Sequence, residues 1–149
     1  MKSEPDVYSI DKLKKEHECL WEGVRNYQAR NFMQEMKMGD EVLFYHSNAE
    51  PSGIAGVAKV SHEALPDPTQ FKKASEYFDP TAKKDAPRWH CVKVQFGEKF
   101  PRILTLNEMK EIPHIQDMLV LRKGQRLSVM PVDKVHFEYI VELMRRTNG

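Results

Sequence analysis

Apolar residues recur at i, i+3, i+4 and i+7 in two stretches: Ala29, Phe32, Met33 and Met36, then Phe137, Ile140, Val141 and Met144. That spacing places each set on one face of an amphipathic helix. Asn26 stands where it can cap free amides and Gly39 where a helix stops, so a helix is predicted over 27–36. Arg25, Gln28 and Arg30 fall off its apolar face. Asp133 is placed to cap the second helix, whose last turn carries Arg145 and Arg146, favourable to the helix dipole. A shorter helix is predicted from Ser9, as cap, through Ile10, Leu13 and Lys14, and Thr105 with Glu108 has capping-box spacing for another through Lys110.

Elsewhere the pattern alternates with period two. "EVLFYHS" puts Leu43, Tyr45 and Ser47 on one side of a strand and Val42, Phe44 and His46 on the other. The turn formers "NAEPSG" and the apolar run "IAGVAKVSHEA" complete an antiparallel hairpin. "RWHCVKVQF" reads as a strand stopping at Pro101, "RLSVMPV" as another closed by Pro131, and Lys2–Glu4 as a short strand. From Leu65 to Pro87 the chain is irregular, because Pro66, Pro68, Pro80 and Pro87 cannot donate to a ladder. A loop this long tends to be functional or packed down as an arm. Short strands separated by helices imply an α+β fold, a small mixed β-barrel or curled sheet with helices at its rim.

Length and charge narrow the classes. The 149 residues suit a single domain spanning 1–149. Hydrophobic residues are 40% and charged residues 30%, the composition of an ordinary globular chain. With 23 Lys plus Arg against 22 Asp plus Glu, bulk charge cannot coat nucleic acid, which leaves only a local basic patch. No apolar run reaches the ~18 residues of a membrane span, and "MKSEPDVYSI" has no secretory core. Two lone cysteines, Cys19 and Cys91, suit reduced thiols, so a cytoplasmic location is expected.

Several chemistries lack their residues. There is no GxxxxGK[ST], GxGxxG or GxSxG, and the six histidines show no HExxH or paired-ligand spacing. Neither a metal nor a cofactor is expected. His46 and Ser47 are strand neighbours on opposite faces, a poor base and nucleophile pair, and His46 reads as a packed or surface histidine.

"LWEGVRNYQARNFM" is the segment with most to explain. Trp21 offers a π-face, Gly23 lets a ligand approach the backbone, Arg25 can meet phosphate, and Asn26 can cap the helix or read a base edge. Those are the parts of a pocket for a flipped or single-stranded base. They are equally a core tryptophan and a capping asparagine. Tyr45 and Ser47 can hydrogen-bond a polar ligand from one strand face. A basic cluster, Arg122, Lys123 and Arg126, has no acid between Leu119 and Pro131, as a solvated turn would also look.

"KSEP", "W-x-GVRNYQARNF", "FYHSN" with "EPSGIAG", "YFDP", "PRW", "KFPR" and "RLSVMP" run in the order of one known family. Over Lys2 to about Glu142 the chain resembles the EVE domain family, particularly its free-standing bacterial members. The resemblance implies a PUA-like β-barrel with peripheral helices, related to PUA, ASCH and YTH domains. It implies a non-catalytic nucleic-acid-binding module that recognises a modified base, whether modified cytosine in DNA or a modified RNA base. Carried over by motif, its ligand-binding residues are Lys2, Ser3, Glu4 and Pro5; Trp21, Gly23, Val24, Arg25 and Asn26; Tyr45, His46, Ser47 and Asn48; Arg126, Leu127, Ser128 and Val129. In that reading Trp21 stacks on the base, Ser3, Asn26, Tyr45 and Ser47 read its edge, and Arg25, Arg126 and Lys123 meet phosphates. Glu22, Ala49 and Met130 stand where the family commonly has aspartate, cysteine and glutamine. Two rivals are a hydrolase of modified nucleosides, as in the related ASCH fold, with Lys2, Glu4 and His46 as acid–base groups, and a protein-interaction module.

Overall fold

The computed structural model describes residues 1–146. Residues 147–149, the end of the expected single domain, lie outside the described residues. Five strands, β1 (Lys2–Ser3), β2 (Glu18–Leu20), β3 (Glu41–His46), β4 (Gly53–Pro66) and β5 (His90–Thr105), form one mixed sheet in the order β1-β3-β4-β5-β2. β1 runs parallel to β3, and all other pairs are antiparallel. Four helices pack on it: α1 (Ile10–Glu16), α2 (Tyr27–Glu35), α3 (Leu106–Lys110) and α4 (Lys134–Arg146). The fold class is α+β.

Strand alternation builds two cores. Val42 and Phe44 of β3 join Ile10, Leu13, Trp21, Ala29 and Met33 on one face, under α1 and α2. Leu43 and Tyr45 join Met109, Ile140, Val141 and Met144 on the other, under α3 and α4. β4 and β5 serve both cores, because bulges between Ile54 and Gly56, Val57 and Ala58, and further along re-aim their side chains. Gly56 allows a close approach of β5: a Cβ there would lie 2.2 Å from the Glu98 carbonyl oxygen.

The caps read from the sequence hold. The Ser9 side chain accepts from Lys12 N–H, Asn26 from Ala29 N–H, and Thr105 and Glu108 form a reciprocal capping box. Asp133 precedes α4, and its carbonyl accepts from Phe137 N–H. No described helix is long and apolar enough to cross a membrane.

Three expectations need correction. First, α2 ends at Glu35, before Gly39. Met36 turns extended, Lys37 N–H bonds to the Asp40 carboxylate, and Gly39, at φ +92°, donates to Val60 O, so the glycine shapes the entry to β3 instead of the helix stop. Second, β5 does not stop at Pro101. Lys99 pairs with Gly56 and Leu104 with Ile54, so residues 100–103 bulge opposite Ala55, where a proline's missing N–H costs no ladder bond. Third, "RLSVMPV" forms no strand. Leu127 N–H bonds to the Gln125 side chain, and the tie to the sheet is Lys2 N–H donating to Ser128 O.

Candidate nucleic-acid interface

The parallel register of β1 on β3, Lys2 opposite Tyr45 and Ser3 opposite His46, brings "KSEP" and "FYHSN" together. Ser47 N–H donates to Ser3 O, and the Asn48 amide donates to Glu4 Oε1 at 2.6 Å. Asn48 adopts φ +48°, a left-handed conformation that asparagine tolerates and that turns its side chain toward Glu4. On the other side of β1, the Ser128 carbonyl meets Lys2 N–H. Val129 is fully buried and Leu127 packs on the core that holds Trp21 and Val24. Three of the four motif segments therefore converge through backbone pairing.

The fourth, 21–26, is held by the proline-rich arm 67–89. Asp67 is fully buried. Its carboxylate accepts from Gly23 N–H at 2.8 Å, Arg25 Nη1 at 3.1 Å, Thr69 N–H and the Thr69 hydroxyl. Burial pushes the Asp67 carboxyl up, but the hydrogen bonds from Thr69, Gly23 and Arg25 outweigh it and hold the group below the usual carboxylate range. Arg25 also donates to the Tyr77 carbonyl through Nε and Nη2, at 3.1 and 2.7 Å, and to Val24 O and Thr69 Oγ1. Its guanidinium lies 5.6 Å from the Tyr77 ring centre and 5.3 Å from that of Trp89.

This arrangement revises several side-chain roles. Every Arg25 nitrogen is engaged inside the protein, so the residue that the sequence offered to phosphate is instead a clasp between 21–26 and the arm. Trp21 is only 8% exposed and packs edge-to-face with Phe44, which makes it a core side chain, not an open platform. Tyr45 belongs to the second core cluster and Trp21 to the first. His46 is buried, and its Nε2 accepts from Ile10 N–H at 3.1 Å, which requires a neutral ring; burial lowers its pKa accordingly. Lys2 lies over the Tyr45 ring, with burial lowering its pKa, and Pro5 is half-buried beside exposed Glu4. Lys2, Glu4 and His46 thus each have a separate partner. Arg126 and Lys123 are exposed, and Asn26 is an exposed cap.

Sequence reasoning missed Tyr77. Gly23, at φ +86°, leaves room for its ring: a Cβ there would lie 2.7 Å from Tyr77 Cε2. The half-exposed Tyr77 phenol is raised in pKa by a hydrogen bond to Glu76 and by desolvation. The glycine between "W" and "VRN" was the available signal, since only a close neighbour requires it.

Cys19 and Cys91 are free, and burial pushes the Cys91 thiol up to about 12, so it is no nucleophile at neutral pH. Among the described residues no group of three or more His, Cys, Asp or Glu is placed to hold a metal. A cavity of about 510 Å³ lies toward the opposite end of β3; it takes in Phe32, Met130 and Pro131 of the motifs but none of the carried-over ligand-binding residues.

Comparison with known proteins places this geometry. The EVE domain family model matches residues 1–143. Thymocyte nuclear protein 1 from Homo sapiens is 41% identical over 96% of this chain and 72% of the relative. The crystal structure of human THYN1 in complex with 5-methylcytosine containing DNA is 41% identical, covers 97% of this chain and 95% of that one, and superposes with a TM-score of 0.89. A hypothetical protein from Leishmania major, 44% identical over 100% of this chain and 94% of that one, gives 0.95, and a Pseudomonas syringae protein, 41% identical over 97% of each chain, gives 0.93. With its PUA-like α+β fold and its motifs matched along nearly the whole length, the chain belongs to the EVE domain family.

Proposed function

We propose that this protein is a non-catalytic reader of a modified base in nucleic acid, with modified cytosine in DNA as its first substrate class. The observations that carry the reading are the pairing of Ser3–Glu4 with Ser47–Asn48 and the packing of Tyr77 against Gly23–Asn26. The reading is supported by the DNA complex of a relative that matches 97% of this chain. A base can reach such groups only after leaving its stack, which costs a few kcal/mol and must be recovered by stacking and edge contacts.

The geometry redistributes the roles. Tyr77 supplies the aromatic surface next to Gly23 that buried Trp21 cannot. Asn26 spends Oδ1 on Ala29 N–H and keeps its Nδ2 donor for a base edge. Ser3, Ser47 and Asn48 offer further polar groups, while exposed Arg126 and Lys123 take the phosphates. The free thiols suit a reducing compartment such as the cytoplasm.

Fluorescence anisotropy with a duplex carrying one 5-methylcytosine, its unmodified twin and the equivalent RNA tests the reading. The methylated duplex should bind tightest. Tyr77→Ala should weaken it by about 10-fold or more, since base–aromatic stacking is worth ~1–3 kcal/mol. Arg126→Ala should weaken methylated and unmodified duplexes alike and reduce the salt slope by about one. Equal affinity for both duplexes overturns base reading.

A further inference from the structure

The cavity at the far end of β3 has a different chemistry from the polar edge. Phe32 of α2, Met36 just beyond it, Val42 and Leu43 of β3, Met130 and Phe137 form its apolar lining. Its volume of about 510 Å³ has room for one or two large apolar side chains. Three of the large hydrophobic side chains left exposed, Met38 (71%), Val132 (37%) and Val135 (74%), lie on the segments around it. A cluster of exposed apolar residues around a concavity marks a binding surface more specifically than the same residues scattered.

The rim is acidic. Glu35, Asp40 and Glu41 line it, and Glu63 comes in against Met38, accepting its N–H at 3.2 Å. Of the amines in the lining, Lys134 lies 3.8 Å from the Glu138 carboxylate and the Met1 amine donates to Leu43 O with its pKa lowered to about 5 by burial, while Glu35 has no partner among the described residues. The nearby cations that temper this excess are exposed Lys37 on the adjoining turn, Lys59 opposite Glu41 in the β3–β4 register, and Arg145, which is tied to Glu98. Nucleic acid, a polyanion, is therefore disfavoured here. Leu43, the lining residue of β3 nearest the polar edge, and His46 are three residues apart, about 10 Å along the strand, so the cavity and the polar edge can be occupied together.

We propose that this cavity docks a basic amphipathic peptide segment of a partner protein, its apolar side chains entering between Met36 and Phe137 and its Lys or Arg side chains meeting Glu35, Asp40 and Glu41. Charge complementarity selects this occupant. A second copy of the chain would bring the same acidic rim against itself, and a neutral apolar ligand would leave the carboxylates unpaired.

The test uses three fluorescein-labelled 12-residue peptides: one with Leu at i, i+3, i+4 and i+7 among Lys residues, one with Glu replacing Lys, and one with Ser replacing Leu. The Lys/Leu peptide should bind at least about 10-fold more tightly than either control. Glu35→Lys/Glu41→Gln should weaken it about 10-fold without changing the affinity for methylated duplex or the circular-dichroism melt. Amide NMR shifts on adding the peptide should centre on Met36, Val42, Leu43 and Phe137. Absent binding, equal binding to the double variant, equal binding of the Ser-for-Leu peptide, or shifts centred on 23–26 and 46–48 would each overturn the proposal. Because saturating methylated duplex should leave the peptide bound, its displacement would also overturn it, whereas failure of the duplex itself to bind bears only on base reading.

Discussion

Two irregular segments flank the polar edge, and they are held in opposite ways. The arm 67–89 has four prolines' worth of reasons not to form a ladder when Pro66 at its start is included, yet Asp67, Thr69, Gln70 and Trp89 are all buried. Gln70 makes four hydrogen bonds: its amide donates to Asp67 O and Trp89 O at 2.8 and 2.7 Å, and its Oε1 accepts from Arg88 and Trp89 N–H at 3.1 and 2.9 Å. The segment 122–133 has comparable composition of turn formers but one fully buried side chain, Val129, and ties to its surroundings through bonds such as Lys2 N–H to Ser128 O. The difference teaches where irregular backbone gets its rigidity. Buried polar side chains can replace a strand partner, provided that each donor and acceptor is met.

Removing the centre of the arm should have the largest effect. Asp67→Ala leaves the Arg25 charge and Gly23 N–H without their acceptor, and breaking a buried pair costs about 3–5 kcal/mol. Urea denaturation should give a midpoint shift of that size, together with weaker DNA binding because Tyr77 loses its support. If stability is unchanged, the clasp is not what holds the arm.

Gln70→Leu keeps the volume but orphans the Arg88 and Trp89 N–H groups, while the Asp67 and Trp89 carbonyls keep one backbone donor each. At about 1–3 kcal/mol for each unsatisfied buried group, partly relieved by water, a loss of about 2–4 kcal/mol is expected. Hydrogen exchange should accelerate at Trp89 and Asp79 and not in 122–133. Uniform acceleration would mean that the two segments unfold as one unit.

Acidification should separate groups by the direction of their shifts. His46 is lowered in the fold, so its contribution is complete above the unfolded value of about 6.5 and is lost as pH falls through the folded value, when protonation breaks the bond from Ile10 N–H. Asp67 is also lowered, so its contribution is complete above the unfolded carboxylate value of about 3.9 and disappears only at more acid pH. Melting temperature should therefore fall in two stages, and His46→Gln, which can still accept from Ile10, should shrink the first stage, to which His90 and the Met1 amine, both also lowered by burial, contribute as well.

The smallest effect is expected in the second segment. Arg126→Ala touches an exposed side chain, so stability should change by no more than about 0.5 kcal/mol while DNA affinity falls. A large destabilisation would show that 122–133 is braced more like the arm than its bonds indicate.

Much of the fold was readable before any coordinates. Local rules placed α1, α2, α3 and α4 and their caps, because an N-cap oxygen and an apolar period of 3.6 act within four residues of each other. The β3–β4 hairpin followed from alternation and a turn-rich linker. The motif order also identified which segments would meet. "RLSVMPV" misled because its alternation is real, but the sheet edge beside it, β1, pairs with β3 and spares it only one donor. Pro101 misled because bulges depend on which residues the partner strand presents opposite it.

What only the tertiary structure decided was the direction and company of each side chain. The sequence determined that Trp21, Arg25 and Tyr45 belong to special segments, and that Asn26 caps a helix. It could not tell that Phe44 would cover Trp21, that Tyr45 would join the second core cluster, or that Asp67, 42 residues away, would claim Arg25. Capping is a contact between near neighbours in the chain. Burial and ion pairing across 40 residues depend on how the sheet curls and where the arm lands, and no local period encodes that.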